Sequence, residues 1–162
     1  MHHLAGRFVV FEGPDGSGKS TQFRRFSRAC QDAGLTVCEV REPGGTYVGE
    51  RIRAVLLDHA DEEICLVTEM LLYMASRAQL VEARIRPALA RGELVLADRY
   101  VASTLAYQGA AGGLPLEDIR AVAQVATGGL TPDLTVIFDV DQATAASRLS
   151  PLLDRMESRG HA

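Results

Sequence analysis

Short, nearly continuous apolar runs alternate along the chain with stretches in which apolar residues recur every three or four positions. Arg7-Phe8-Val9-Val10-Phe11-Glu12 is a run of the first kind and predicts a buried strand. Phe23, Phe26 and Cys30 follow at helical spacing, which predicts a helix from about Lys19 to Ala33 that stops at Gly34. Thr36 to Val40 predicts a second strand, and Arg41-Glu42-Pro43-Gly44-Gly45-Thr46 a loop at its carboxyl end, because Pro and paired Gly do not continue a strand. Val48, Ile52, Val55 and Leu56 mark a short amphipathic helix carrying Arg51 and Arg53. The acidic Asp61-Glu62-Glu63 opens a longer helix whose Leu66, Met70, Tyr73 and Arg77 share a face. That pattern runs on through Leu80 and Ile85, with a break expected near Pro87 and punctuation at Gly92.

Leu94-Val95-Leu96-Ala97 predicts a third buried strand with Asp98-Arg99-Tyr100 at its carboxyl end. Ser103, Thr104, Tyr107 and Gln108 are expected on a short helix, followed by a flexible Gly/Ala stretch from Gly109 to Gly113. A helix from Leu116 to Thr127 ends at Gly128-Gly129 and Pro132. Leu134 to Val140 then reads as a fourth strand, and Ala143 to Leu149 as a helix broken by Pro151. Strands alternating with helices imply an α/β fold, a parallel sheet with helices on both faces.

Composition narrows this picture. At 162 residues one domain is expected, with 47% apolar residues to fill its core. The formal net charge of −4 gives no global field for a nucleic acid polymer or an anionic membrane, so anionic ligands must be gripped locally. Cys30, Cys38 and Cys65 show no metal-type spacing and fit reduced thiols in a cytoplasm. Met1-His2-His3 leads straight into the first strand, so no leader is expected, and no apolar stretch approaches the ~20 residues that span a bilayer.

The local grip is supplied by Gly13-Pro14-Asp15-Gly16-Ser17-Gly18-Lys19-Ser20-Thr21, which satisfies G-x-x-x-x-G-K-[ST] between a strand and a helix. Glycines let the backbone curl until successive N–H groups face phosphate oxygens, and the following helix aims its positive end at the same point. Lys19 reaches the outer phosphates as a point charge, and the Ser20 hydroxyl is a Mg²⁺ ligand. At the end of the third strand, Asp98 offers a carboxylate for the Mg²⁺ shell and Arg99 a clamp for a phosphate. By periodicity alone, Tyr73 reads as core and Arg77 as a solvated charge.

Taken together, the phosphate loop, Arg41-Glu42-Pro43-Gly44-Gly45-Thr46, Asp98-Arg99-Tyr100, Ser103-Thr104-Leu105-Ala106-Tyr107-Gln108-Gly109, Pro132-Asp133-Leu134 and Leu153-Asp154-Arg155-Met156-Glu157 resemble the thymidylate kinase family. The resemblance covers nearly the whole chain, and the Arg-Glu-Pro-Gly-Gly-Thr loop is its most specific piece. It implies a P-loop NTPase fold of the nucleoside monophosphate kinase kind, with strand order 2-3-1-4, and phosphorylation of dTMP to dTDP using ATP and Mg²⁺. It also implies a homodimer formed through a helical face.

By the same resemblance, Lys19 and the loop amides hold the ATP phosphates, and Asp15 lies near the acceptor's sugar hydroxyl and phosphate. Glu42 lies beside the acceptor, and Arg53 and Arg99 bind its phosphate. Tyr73 stacks on thymine, where the family more often has Phe, and Arg77 hydrogen-bonds the base. Ser103, Thr104, Tyr107 and Gln108 line the base and sugar pocket. This reverses the plain reading of Tyr73 and Arg77. A nucleotide-binding remnant with little turnover, and a kinase for another nucleotide, are the alternatives.

Two departures stand out. Family members carry a catalytic arginine either in the phosphate loop after the Asp or in a lid. Gly16 follows Asp15 here, so the lid must supply it, with Arg148, Arg155 and Arg159 all candidates. Family chains also continue past the lid with a helix, a fifth strand and a final helix. The 162 residues are therefore expected to be a single kinase domain cut short after the lid, with the fourth strand left as an exposed edge.

Overall fold

The computed structural model describes residues 2–58 and 63–148. Asp61, Glu62, Leu149, Pro151, Arg159 and the Leu153–Glu157 motif with Arg155 lie outside the described residues. Four strands form one parallel sheet: β1 (Phe8–Glu12), β2 (Val37–Arg41), β3 (Leu94–Asp98) and β4 (Leu134–Ile137), in the order β2-β3-β1-β4. This is the order implied by the family resemblance.

The apolar runs of β1 and β3 split their side chains between the two sheet faces, as a strand's twofold period requires. Phe8, Val10, Val95 and Ala97 pack with Leu80, Val81, Ile85 and Ala88 on one face. Val9, Phe11, Leu94 and Leu96 pack with Phe23 and Cys30 on the other, which is covered by α1 (Lys19–Asp32). Helices α2 (Tyr47–Leu57) and α3 (Leu66–Leu80) pair with one another, and α6 (Leu116–Thr127) joins α3 through Met70, Met74, Ile119 and Ala123.

Three expectations are corrected. The break near Pro87 is a widened π-helical segment, Val81–Ile85, leading into α4 (Arg86–Ala90). Pro87 falls in the first turn of α4, immediately after the π-helical segment. The Gly109–Gly113 stretch begins as ordered helix: after α5 (Val101–Thr104), a second π-helical segment runs from Leu105 to Ala111. Gly109 is buried there, and a Cβ would stand 2.5 Å from Leu116 Cδ2, so close packing is what calls for glycine. The fourth strand ends at Ile137, short of Val140. Its last bond to β1 is Phe138 N–H to Glu12 O, at 2.8 Å; β1 then turns away at Gly13 (φ 144°) and leaves nothing to pair with. Leu134 and Ile137 lie exposed on this edge strand.

A last helix, α7 (Gln142–Ser147), is capped by Asp141, whose carboxylate accepts the Thr144 N–H at 2.9 Å.

Candidate active site

Parallel strands end together, and so bring distant residues to one rim. Phe11, Asp98 and Arg41 share a register level on β1, β3 and β2. The residues just beyond them form the site: Glu12 and the phosphate loop, Arg99 and Tyr100, and Glu42.

The phosphate loop behaves as its glycines demand. Gly18 is the N-cap of α1 in the left-handed region (φ 85°), and no side chain caps the helix. Its first N–H groups are thereby left for an anion. Gly16 (φ 78°) faces α7 so closely that a Cβ would stand 2.3 Å from Ala145 O. The Ser17 hydroxyl is buried beside this loop with no hydrogen-bond partner. Lys19, only 5% exposed, pairs with Asp98. The buried ammonium, the uncapped helix start and the orphaned hydroxyl fit a nucleotide's phosphates.

Asp98, paired with Lys19, and the exposed Ser20 next to Lys19 in sequence offer oxygens beside that position. Mg²⁺ typically takes one or two protein oxygens and completes its shell with phosphate and water, so this sparse pair fits it. Among the described residues no group of three or more His, Cys, Asp or Glu side chains is placed to hold a metal ion by itself.

Three consecutive residues radiate from the end of β3. Asp98 holds Lys19. Arg99 donates to Asp15 Oδ1 at 2.8 Å and to Ser103 Oγ at 3.2 Å, and its guanidinium lies 5.5 Å from the centre of the Tyr107 ring. Among the described residues Arg99 is the one non-glycine with positive φ, 71°. Burial works against its charge, yet Tyr107 and Asp15 beside it carry its pKa above the usual guanidinium value. Tyr100 donates its N–H to Glu12 Oε1 at 2.9 Å, its carbonyl accepts from Arg77 at 3.1 Å, and its hydroxyl donates to the Leu130 carbonyl. Burial and the nearby Glu42 carboxylate push the Tyr100 phenol up.

Arg77 is not a solvated charge: it is 1% exposed. Its Nε donates to Glu42 Oε2 at 2.7 Å, Nη2 to Tyr100 O and Thr104 Oγ1, and Nη1 to the Met74 sulfur at 3.0 Å. Glu42 is buried as well, and its Oε1 has no hydrogen-bond partner. Desolvation raises the Glu42 pKa, and the Arg77 charge pulls it back.

The remaining expected residues fall around this centre. Arg53 is half-buried and donates to the Pro43 carbonyl at 3.1 Å. Tyr73 is half-buried one turn before Arg77. Thr104 serves Arg77, Ser103 and Tyr107 serve Arg99, and Gln108 is buried with its amide donating to Glu69 at 2.9 Å. Of the lid arginines, Arg148 reaches the Gly16 carbonyl at 3.3 Å.

Sequence reasoning missed the supports. Glu12 accepts three bonds, described below. The 41–46 loop is held by Ser76, whose hydroxyl accepts the Gly44 N–H at 3.0 Å. Glu50 also holds it, accepting the Gly45 N–H at 2.8 Å and pairing with Arg41. The Glu42–Pro43 peptide within the loop is cis. A serine beside Arg77 and an acid in the first turn of α2 were the available signals.

Comparison with known proteins bears on this geometry. A family model described as "Thymidylate kinase" matches residues 11–155. The chain is 48% identical over 161 residues to a curated "Thymidylate kinase" of Exiguobacterium sp., covering 98% of this chain and 76% of that one. It is 53% identical over 156 residues to that of Deinococcus radiodurans, covering 94% and 74%. A crystal structure of thymidylate kinase from Ehrlichia chaffeensis superposes with a TM-score of 0.77 at 30% identity, covering 97% of this chain and 81% of that one.

Proposed function

The chain belongs to the thymidylate kinase family, ATP-using nucleoside monophosphate kinases, and from that premise we propose how its residues divide the conversion of dTMP to dTDP. The dTMP phosphate oxygen attacks the γ-phosphorus of ATP in line, the bond to the β-phosphate oxygen breaks, and ADP leaves. Such a transfer needs positioning and charge neutralisation more than covalent help.

The loop amides from Gly13 to Thr21 and Lys19 hold the ATP phosphates. Ser20 and Asp98 are the residues that would hold Mg²⁺, which when bound neutralises phosphate charge. Arg99 and Arg53 take the phosphate of dTMP, two cations for a dianion. Asp15, already on Arg99, stands between donor and acceptor sides. Tyr73 offers its ring to thymine, and Arg77 presents the base edge with Nη1, whose contact is a weak thioether acceptor. Glu42 fixes Arg77, Thr104 supports it, and Ser103, Tyr107 and Gln108 complete the pocket wall. We assign to Arg148, which donates to the Gly16 carbonyl, the neutralising of charge on the transferring group, with Arg155 as the second lid candidate.

The observation that carries this reading is the network at the end of β3. It joins the phosphate-loop lysine, Asp15, the acceptor arginine Arg99 and the base-side Arg77 through three consecutive residues. Relatives of 48% and 53% identity favour turnover of dTMP over a remnant without activity or a kinase for another nucleotide. We take residues 1–162 as one kinase domain working in the cytoplasm, where unpaired Cys30, Cys38 and Cys65 stay reduced. Among the described residues no helix is long and apolar enough to cross a membrane. Val48 and Val55 on α2 and Val67 and Leu71 on α3 form an exposed apolar stripe on paired helices, which we assign as the face that meets a second copy.

The test is Lys19→Ala in a dTMP-dependent ADP-release assay. A loss of at least about a hundredfold in kcat is expected, the scale of deleting one preorganised charge stabiliser. Retention of most of the turnover removes the phosphate loop from the mechanism.

A further inference from the structure

Glu12 ends the buried strand β1 and is itself 5% exposed. Among the described residues it forms no ion pair. Its carboxylate is satisfied by three donors instead: Oε1 accepts the N–H of Tyr100 at 2.9 Å and of Ser103 at 3.3 Å, and Oε2 accepts the Ser103 hydroxyl at 2.7 Å. Burying a carboxylate is costly, and charge-assisted bonds of this kind are what offset it.

The geometry has a direction. Because the Ser103 hydroxyl gives its proton to Glu12, its lone pairs are turned to Arg99 Nη1, which donates to it at 3.2 Å. The backbone of Arg99 is pinned at both ends by β1. Its own N–H donates to Phe11 O at 2.9 Å, and the next N–H, that of Tyr100, donates to Glu12. These two bonds to consecutive strand residues bracket the left-handed turn at Arg99.

We propose that Glu12 is a positioning residue for phosphoryl transfer, acting through the Ser103 hydroxyl and the Tyr100 amide to fix the Arg99 guanidinium for the acceptor phosphate. This rests on the reading that Arg99 meets the dTMP phosphate. A neutral glutamine in place of Glu12 would still offer one oxygen to the two N–H groups. It would place an NH₂ donor on Ser103, reverse the hydroxyl and point its proton at Arg99. Glu12→Gln therefore breaks the relay while keeping the shape.

The experiment measures kcat, KM for dTMP, KM for ATP and melting temperature for the parent chain, Glu12→Gln, Ser103→Ala, the double variant and Arg99→Ala. Glu12→Gln should raise the KM for dTMP about tenfold, the scale of one charge-assisted hydrogen bond, and leave the KM for ATP within about twofold. Ser103→Ala should do the same, and the double variant should be no worse than the larger single loss, because both cut one relay. The proposal is overturned if Glu12→Gln lowers the melting temperature and kcat with the dTMP KM unchanged, or if the two losses multiply. If Arg99→Ala raises the dTMP KM and Glu12→Gln does not, Glu12 alone loses its role. If Arg99→Ala itself leaves that KM unchanged, the assignment of Arg99 fails instead. Should Glu12→Gln not fold, Ser103→Ala decides, since an unchanged dTMP KM there overturns the relay.

Discussion

Replacing Arg77 by Met isolates what the buried ion pair does. The aliphatic stem keeps its volume, but Glu42 loses its cation inside the protein, where one of its oxygens already lacks a partner. Removing one member of a buried pair costs about 3–5 kcal/mol. For a chain of this size that lowers the melting temperature by about 6–20 °C at pH 7.

The loss has a ceiling and a pH dependence, because an abandoned carboxylate takes up a proton. Protonating a carboxyl of ordinary pKa near 4.3 costs about 3.7 kcal/mol at pH 7 and about 1 kcal/mol at pH 5. In the variant the folded-state pKa of Glu42 is raised further, since burial already pushes it up and Arg77 no longer pulls it back. A carboxyl with a raised folded pKa contributes fully below the unfolded value and loses that contribution as pH climbs toward the folded one. The deficit of Arg77→Met against the parent should therefore shrink between pH 7 and pH 5, by at most about 2.7 kcal/mol or about 5–11 °C. The part that persists at pH 5 combines the remaining cost of protonation with the lost bonds to Tyr100 O and Thr104 Oγ1.

Thermal melts at the two pH values, with Glu42→Gln/Arg77→Met as the control, read this directly. The double variant should recover most of the pH 7 loss, and its melting temperature should depend less on pH than that of Arg77→Met. A deficit equal at pH 5 and pH 7 for Arg77→Met would mean that Glu42 is not the group left stranded, and the burial argument would be refuted.

Two further expectations concern other parts of the fold. Gly16→Ala forces a side chain into a left-handed turn and against Ala145 O, so it should destabilise the chain by more than the ~1 kcal/mol of backbone strain alone. It should also cut kcat at least tenfold, and a variant that melts and turns over like the parent would show that α7 does not rest on the loop. Val55→Asp puts a charge in the centre of the α2–α3 stripe, where Val55 is 53% exposed. Light scattering should report a shift from two copies to one with the melt of the subunit intact, and a persistent dimer would move the interface elsewhere.

What could be seen in the sequence was what short-range periodicity encodes. The apolar runs marked out four strands, and the phosphate loop identified the end of β1 as the site. Periodicity alone misread Arg77, because a pattern of apolar and polar positions counts every arginine as solvent-facing; only the family resemblance put it in the site. Its partner Glu42 lies 35 residues away, and only the sheet brings the two together. Glu12 read as the polar end of an apolar run. Its role depends on Tyr100 and Ser103, about ninety residues on, whose amides arrive because β3 lies beside β1. The end of β4 follows from β1 turning away at Gly13, and the ordered Gly109 from close packing against Leu116, neither of which a local window contains.

The position of α7 gives a physical reason for the first departure noted in the sequence, the phosphate loop without an arginine. Gly16 has a left-handed backbone, and its missing Cβ is the space that Ala145 O fills. An arginine there would meet both the strain of φ 78° and a carbonyl 2.3 Å from its Cβ, so the loop cannot carry its own cation while α7 is seated. The helix that excludes the arginine from the loop ends at Arg148, whose Nη1 reaches the Gly16 carbonyl at 3.3 Å. On the role proposed for Arg148, the packing that keeps an arginine out of the loop is also the packing that brings one to it from the end of α7.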